Sequence, residues 1–338
     1  MCRQKSSDYE IMKNRAILII GTIPETAGLG GVTIHVDRLI KAINKQKTLN
    51  ATGNIELNLC DYKKVSYLKQ LAEIFKAKVI HIHVSHPILR IFYVLSSMLF
   101  RTKSILTIHG NIGRFSAWKN YLDKLAIKLC NTPILLNQES YNKAKKWNKR
   151  SELISAFIPP QDKETLPYEI QNYIKEQKDK NRKIFVTNAS KRAFMPDGRE
   201  MYGIDFLVNY FCNKDNYCLI ISDPTSQNLS FNKSQNKNNI KFITYQHSFY
   251  ALMKESDAVI RATATDGDSL SIREALYLGK PIIATNCVTR PEGVIVYDFN
   301  NLNDFSSAIQ IALNTPNQTN SKEVESIVKL IELYKQYF

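Results

Sequence analysis

DGDSLSIREALYLGKPIIA, residues 266–284, is the stretch on which the reading of this chain turns. It opens as an acidic, small-residue loop that offers flexible backbone and hydroxyls and almost nothing apolar to bury. Ile272, Ala275, Leu276 and Leu278 then recur at helical spacing, Gly279 stands where a C-terminal cap belongs, and Pro281 bars continuation. PIIAT follows, a short apolar run bounded by turn formers, which suits a strand buried on both faces of a parallel sheet. Asp266 before the helix and Glu274 in its expected first turn frame a helix N-terminus, where unpaired amides carry a partial positive charge. Such an end favours phosphate, and flanking carboxylates accept hydrogen bonds from sugar hydroxyls, so the pairing suits a nucleotide-sugar. Ser271 and Glu274 also fit an S-x-x-E capping box, in which the glutamate only satisfies a helix-end amide.

Upstream, the same alternation of apolar strand and amphipathic helix runs through two halves. AILIIGTIP (16–24) reads as a buried first strand, and GLGGVTIHVDRLIKAI follows with Val32, Val36, Leu39, Ile40 and Ile43 as a helix stripe. This strand, glycine turn and helix begin a Rossmann-like unit, but the turn is not G-x-G-x-x-G, which argues against a dinucleotide site. Gly30 and Gly31 let a backbone approach a ligand closely. Further strands are expected at 55–59, 78–84, 104–110 and 132–137, with helices between them, and the apolar run 88–100 reads as a buried helix. FIPP (157–160) and the polar stretch to Arg182 read as hinge and linker. A second series begins at KIFVTNAS (183–190), and the chain ends in an amphipathic helix. Alternating strand and helix implies parallel sheets with helices on both faces. The expected domains are 1–158, with the terminal helix 324–338 packing back onto it, and 159–323.

Composition bounds the function. At 338 residues the chain accommodates two domains, and 44% hydrophobic with 23% charged residues is globular. The net charge of +15, from 46 Lys and Arg against 31 Asp and Glu, favours anionic partners: a nucleotide diphosphate, an acidic lipid surface or nucleic acid. The basic residues are dispersed without aromatic interleaving, which argues against nucleic acid. Six cysteines form no C-x-x-C pair and no zinc spacing with histidine, so they read as reduced thiols of a cytosolic protein. No run reaches the roughly 18 apolar residues needed to span a bilayer, and the polar N-terminus has no signal-peptide core. A cytoplasmic protein is expected, peripheral at most on the inner face of the cell membrane.

Four of the six histidines, His81, His83, His86 and His109, crowd expected strand ends in the first half, where open α/β sheets bind ligands. His81 and His83 alternate and share a face, but no carboxylate or cysteine accompanies them, so no metal site is assigned.

The stretch 266–284 resembles the E-x7-E segment of the retaining GT-B glycosyltransferases of family four, with Asp266 in place of the first glutamate. TRPEGVIVYD (289–298) is similar to the family's bacterial polysaccharide branch. The resemblance implies an α/β GT-B fold, two Rossmann-like domains facing each other across a cleft, with the nucleotide-sugar held mainly by the second. It implies metal-independent sugar transfer with retention, from a donor expected to be a UDP-sugar, to a growing surface polysaccharide or lipid-linked glycan, with no cofactor. His109 resembles the histidine that bonds the transferred sugar. Asp266 is expected to accept from the sugar's hydroxyls and Glu274 from the ribose, while Asp268, Ser269 and Leu270 meet phosphate beside Gly30 and Gly31. The family's pyrophosphate lysine precedes a glycine; here Tyr202 precedes Gly203, so Lys191, Arg192 and Arg199 are substitutes, Arg192 preferred, with Ser190 beside it. Arg290 and Glu292 are expected to hold a loop beside the site, or to form a purely structural ion pair. The competing readings are a GT-B enzyme with a small soluble acceptor or epimerase activity, and a non-catalytic nucleotide- or nucleic-acid-binding protein.

Overall fold

The computed structural model describes residues 16–28, 30–48, 55–189, 192–195, 197–228, 238–316 and 325–338, the side chains of 46–48 excepted. The chain divides into two compact units, Met1–Gln161 with Val324–Phe338, and Asp162–Glu323.

The first unit runs β1 (Ala16–Gly21), α1 (Pro24–Ala27), α2 (Gly31–Thr48), β2 (Glu56–Asp61), α3 (Tyr67–Lys76) and β3 (Val79–Ile82). It continues with α4 (Pro87–Leu99), β4 (Lys103–Ile108), α5 (Ala117–Leu129), β5 (Thr132–Leu135), α6 (Gln138–Lys145) and β6 (Glu152–Leu153). Its sheet is parallel, ordered β2-β1-β3-β4-β5-β6. The central strands are apolar throughout because both faces are covered. Along β1, Ile17 and Ile19 enter one core cluster and Leu18 and Ile20 the other, the two-residue period of a pleated strand.

The second unit comprises α7 (Tyr168–Asp179), β7 (Lys183–Asn188), α8 (Ile204–Phe211), β8 (Tyr217–Ser222), β9 (Ile240–Ile243), α9 (Phe249–Glu255) and β10 (Ala258–Arg261). It closes with α10 (Leu270–Tyr277), β11 (Ile282–Thr285), β12 (Val294–Tyr297) and α11 (Leu302–Asn314). Helix α12 (Glu325–Lys335) then buries Ile327, Leu330, Ile331 and Leu333 in the first unit's core. The second sheet is also parallel, ordered β12-β11-β10-β7-β8-β9. Each sheet reverses its strand order once, between β1 and β3 in the first unit and between β7 and β10 in the second. Such switch points open a crevice at the strands' carboxyl ends, where ligands of this fold class sit.

Part of the expected linker is regular structure. Residues 168–179 are helix α7, which buries Ile170 and Ile174 in the second core. Their spacing of four was the available signal, masked by the polar residues between them. No helix among the described residues is long and apolar enough to cross a membrane. Cys60, Cys130, Cys212, Cys218 and Cys287 are free thiols, and Cys2 lies outside the described residues.

Candidate functional site

At the second unit's switch point the chain buries three charges together. β10 ends on Arg261, whose Nε and Nη2 donate to Asp266 at 3.1 and 3.2 Å and whose Nη1 donates to Asn188 at the end of β7, 3.3 Å away. Arg290 donates from Nη1 to the same carboxylate at 2.9 Å and from Nε to the Thr285 carbonyl at 2.8 Å. The side chains of Asp266 and Arg290 are 6% and 3% exposed, and that of Arg261 is 14%. Burial alone would raise the Asp266 carboxyl; the two guanidinium groups outweigh it and hold the group below the ordinary carboxylate range. Burial likewise opposes the charge on Arg261, and Asp266 more than restores it. Two cations against one anion leave this trio with one positive charge in excess.

The ring of Tyr202 lies under Arg261, 5.7 Å from its guanidinium carbon. Gly203 beside it takes a left-handed conformation, φ 61°, and a Cβ there would run into the Ala262 carbonyl. Where the resembled family places a lysine before this glycine, this chain places an aromatic ring that carries an arginine from a neighbouring strand. Sequence reasoning missed Arg261 because it reads as the end of an apolar strand, AVIR.

Helix α10 starts at Leu270 with Ser269 as its N-cap, so Ser271 lies inside the helix and Glu274 in its second turn rather than its first. The S-x-x-E box therefore does not form in the expected register. Ser269 makes no capping bond to a backbone amide; its hydroxyl meets that of Ser271 at 3.0 Å. Glu274 is 5% exposed, and Asp268 accepts from Arg273 Nε at 2.8 Å. The helix's far end follows the sequence: Gly279 is left-handed at φ 69°, its N–H bonds Leu276, and Lys280 N–H bonds Ala275, a Schellman closure.

Asp266, Asp268, Ser269, Leu270 and Glu274 thus come together around one helix start. Arg192 pairs loosely with Asp205, at 3.9 Å, while its backbone amide donates to Gln227. Arg199 is held by exposed Asp197. Ser190 and Lys191 lie outside the described residues.

The first unit places His109 after β4, at the carboxyl end of its sheet, among histidines. His83 follows β3, and its Nδ1 lies 3.0 Å from His109 Nε2. His81, one pleat earlier, is bonded on both nitrogens, to Tyr334 Oη of α12 and to Thr107 Oγ1, each at 2.7 Å. His35, from α2, joins them; its Nδ1 lies 2.6 Å from the Ala156 carbonyl and therefore donates. Burial drives every one of these imidazoles toward the neutral form, His35 to about 4 and His81, His83 and His109 well below the ordinary histidine value. His86 is exposed at the cap of α4.

Gly30 and Gly31 open α2, exposed. Thr33 Oγ1 accepts from Gly30 N–H and donates toward the Gly28 carbonyl, fixing the turn. Neither glycine has a positive φ, and a Cβ on Gly31 would meet nothing within 4 Å. The fold itself does not require glycine there.

No family model matches the chain. A curated relative, the tRNA 2-agmatinylcytidine synthetase TiaS of Methanocaldococcus jannaschii, is 23% identical over 164 residues, and this match spans 48% of the chain and only 38% of that protein. Solved structures match nearly end to end. HepE of Anabaena in complex with UDP-glucose aligns over 96% of this chain and 95% of its own at TM-score 0.65 and 15% identity. The sucrose-phosphate synthase of Thermosynechococcus elongatus aligns over 95% and 98% at TM-score 0.64 and 14% identity. The UDP-GlcNAc 2-epimerase of Methanocaldococcus jannaschii aligns over 94% and 99% at TM-score 0.53 and 14% identity. These likenesses establish the architecture: the chain has the α/β GT-B fold, built from two Rossmann-like units.

Proposed function

We propose that the protein is a glycosyltransferase that moves a sugar, with retention of configuration, from a nucleotide diphosphate sugar to a growing surface polysaccharide or lipid-linked glycan. UDP is the preferred nucleotide. The observation that carries this reading is the end-to-end match of fold with HepE, which was solved with UDP-glucose. The second unit's switch point adds to it, because the guanidinium groups of Arg261 and Arg290 stand with the amides at the start of α10, a combination that suits a diphosphate.

In this reading the glycosidic bond to the diphosphate breaks first, leaving oxocarbenium character on the sugar. Arg261, Arg290 and the amides around Asp268, Ser269 and Leu270 stabilise the growing charge on the leaving phosphate. The acceptor hydroxyl attacks the same face and passes its proton to that phosphate, so no separate general base enters the step, which this reading takes to be metal-independent. Asp266 acts through the two arginines it holds, Glu274 accepts from the ribose, and His109 bonds the transferred sugar. Arg192 and Ser190 are the proposed contacts of the outer phosphate.

The exposed faces of α3, α4 and α5 carry Leu68, Phe75, Leu95, Leu99, Trp118 and Tyr121 beside Lys69, Lys76, Lys124 and Lys128. Apolar side chains among lysines suit an anionic membrane surface, the place where a lipid-linked acceptor is found, and support a cytoplasmic, peripheral protein.

The test is to incubate the purified chain with a panel of UDP-sugars and follow free UDP. Slow release alone, faster release with extracted lipid-linked glycans, and a retained anomeric configuration in the product are expected, with Glu274→Gln about 100-fold slower. An isomerised UDP-sugar without UDP release would replace this reading with an epimerase. Absence of UDP-sugar binding, with RNA held tightly at about 200 mM salt, would replace it with nucleic-acid binding.

A further inference from the structure

His35, His83 and His109 stand at the corners of a nearly regular triangle. Their ring centres are 5.2 Å apart for His35 and His83, 5.3 Å for His35 and His109, and 5.3 Å for His83 and His109. One ring nitrogen from each comes within 4.8 Å of the other two. Three imidazoles on one tetrahedral ion, with metal–nitrogen distances of about 2.0–2.1 Å, put their nitrogens about 3.3 Å apart and their ring centres about 5 Å apart. The ring triangle already has that size, and the nitrogens need only a modest turn inward.

A further observation points to a ligand. His35 donates Nδ1–H to the Ala156 carbonyl, the kind of outer-sphere bond that fixes a ligating histidine's tautomer and leaves the lone pair on Nε2.

We propose that His35, His83 and His109 form a three-histidine site for a transition-metal ion of the Zn²⁺ or Co²⁺ class. Neutral nitrogen donors without carboxylates select such ions over Mg²⁺ or Ca²⁺. The 3.0 Å contact between His83 Nδ1 and His109 Nε2 becomes a pair of ligands when the shared proton moves to the far nitrogen of its own ring, a tautomer shift that loses no proton overall. His109 is the partly exposed corner, so the fourth position opens on its side. Arg38, which follows His35 by three residues, and Arg114, which packs against Gly110, bring positive charge to this site. Their charge favours an anion there: hydroxide, or a phosphate or carboxylate of a bound molecule. His81 is not a ligand, since both its nitrogens are engaged by Tyr334 and Thr107. The site goes beyond the glycosyl-transfer reading and shares only His109 with it: Nε2 faces the ion, and Nδ1–H is left for the sugar.

The full chain, freed of metal by chelation and dialysis, is titrated with Co²⁺ and its visible spectrum recorded without any sugar nucleotide. About one ion per chain with the intense bands of tetrahedral nitrogen ligation, displaced by Zn²⁺, is the expected result. His35→Gln and His109→Gln should each weaken binding about 100-fold or more, while His86→Gln on the surface leaves it unchanged. Near-UV circular dichroism checks that the variants fold. His35→Cys should keep the ion and add a sulfur-to-cobalt charge-transfer band, a gain that a misfolded variant cannot give. Wild-type protein without tetrahedral bands, or with affinity unchanged in the His35 and His109 variants, overturns the proposal.

Discussion

At the carboxyl ends of β3 and β4 the first unit gathers His83 and His109 against His35 and keeps them neutral. At the ends of β7 and β10 the second unit buries Arg261 and Arg290 against Asp266 and favours the charged forms of Asp266 and Arg261. Both groups lie at or beside their sheet's switch point, and both are polar clusters in apolar surroundings. The histidines escape the cost of buried charge by giving up protons, and so tolerate an orphaned Nε2 on His83. Guanidinium groups cannot deprotonate, so each must be paired, and Arg290 directs donors to Asp266, the Thr285 carbonyl and the Thr285 hydroxyl. The difference teaches that the second cluster is brittle to loss of one member and the first is not.

The largest effect that would break this contrast is at Asp266. Replacing it by Asn leaves two buried guanidinium groups facing each other, and urea unfolding should show a loss of about 3–5 kcal/mol. Adding Arg261→Met to that variant should return part of the loss, because the uncompensated charge goes with it. A loss under about 1 kcal/mol for Asp266→Asn would mean that the trio is not electrostatically coupled.

The same pair of proteins sharpens the comparison in pH. The folded Asp266 carboxyl titrates below its unfolded value of about 3.9, so the unfolded chain binds the extra proton. Its stabilisation is therefore complete above that value and is lost as pH falls through the lower, folded one. The stability gap between wild type and Asp266→Asn should be equal at about pH 7 and 5.5 and narrow only below about 4. A gap that shrinks already between 7 and 5.5 would assign the stabilisation to another group.

How much of this was legible beforehand differs between the clusters. Both sheets, the closure at Gly279 and the strand 282–285 follow from local spacing and turn chemistry, which act over a few residues. The placement of Glu274 did not follow, because Ser269 and Ser271 are equally good caps by residue type. His35 sits beside the apolar stripe of α2, and a stripe read for its apolar members hides a polar one buried with them. Arg261 meets Asn188 across 73 positions, a partnership created by strand order alone. Local physics gave the frame, whereas the contacts that set protonation and charge arise only when distant strands are brought side by side.

In the neutral cluster a single lost partner should cost little. Tyr334→Phe removes the hydroxyl bonded to His81 and keeps the ring against the core, and a loss of about 1–2 kcal/mol is expected in urea unfolding. A loss as large as that of Asp266→Asn would erase the distinction between the units.

The smallest effect is at Gly31, and it is read against another glycine. Gly203 in the second unit is left-handed and faces the Ala262 carbonyl, so alanine there is strained and should cost about 1–3 kcal/mol. Gly31 in the first unit has no such constraint and lies at the start of α2, where alanine is the better helix former. Gly31→Ala should leave the unfolding midpoint unchanged or raise stability by at most about 1 kcal/mol. If the glycine is there for a ligand's approach, the same variant should bind the sugar nucleotide or acceptor more weakly by calorimetry, since the new methyl fills space that no protein atom uses. Unchanged stability with unchanged binding would leave Gly31 an ordinary turn residue. Unchanged stability with weakened binding marks the first unit's loop as a surface kept open for something other than the protein itself.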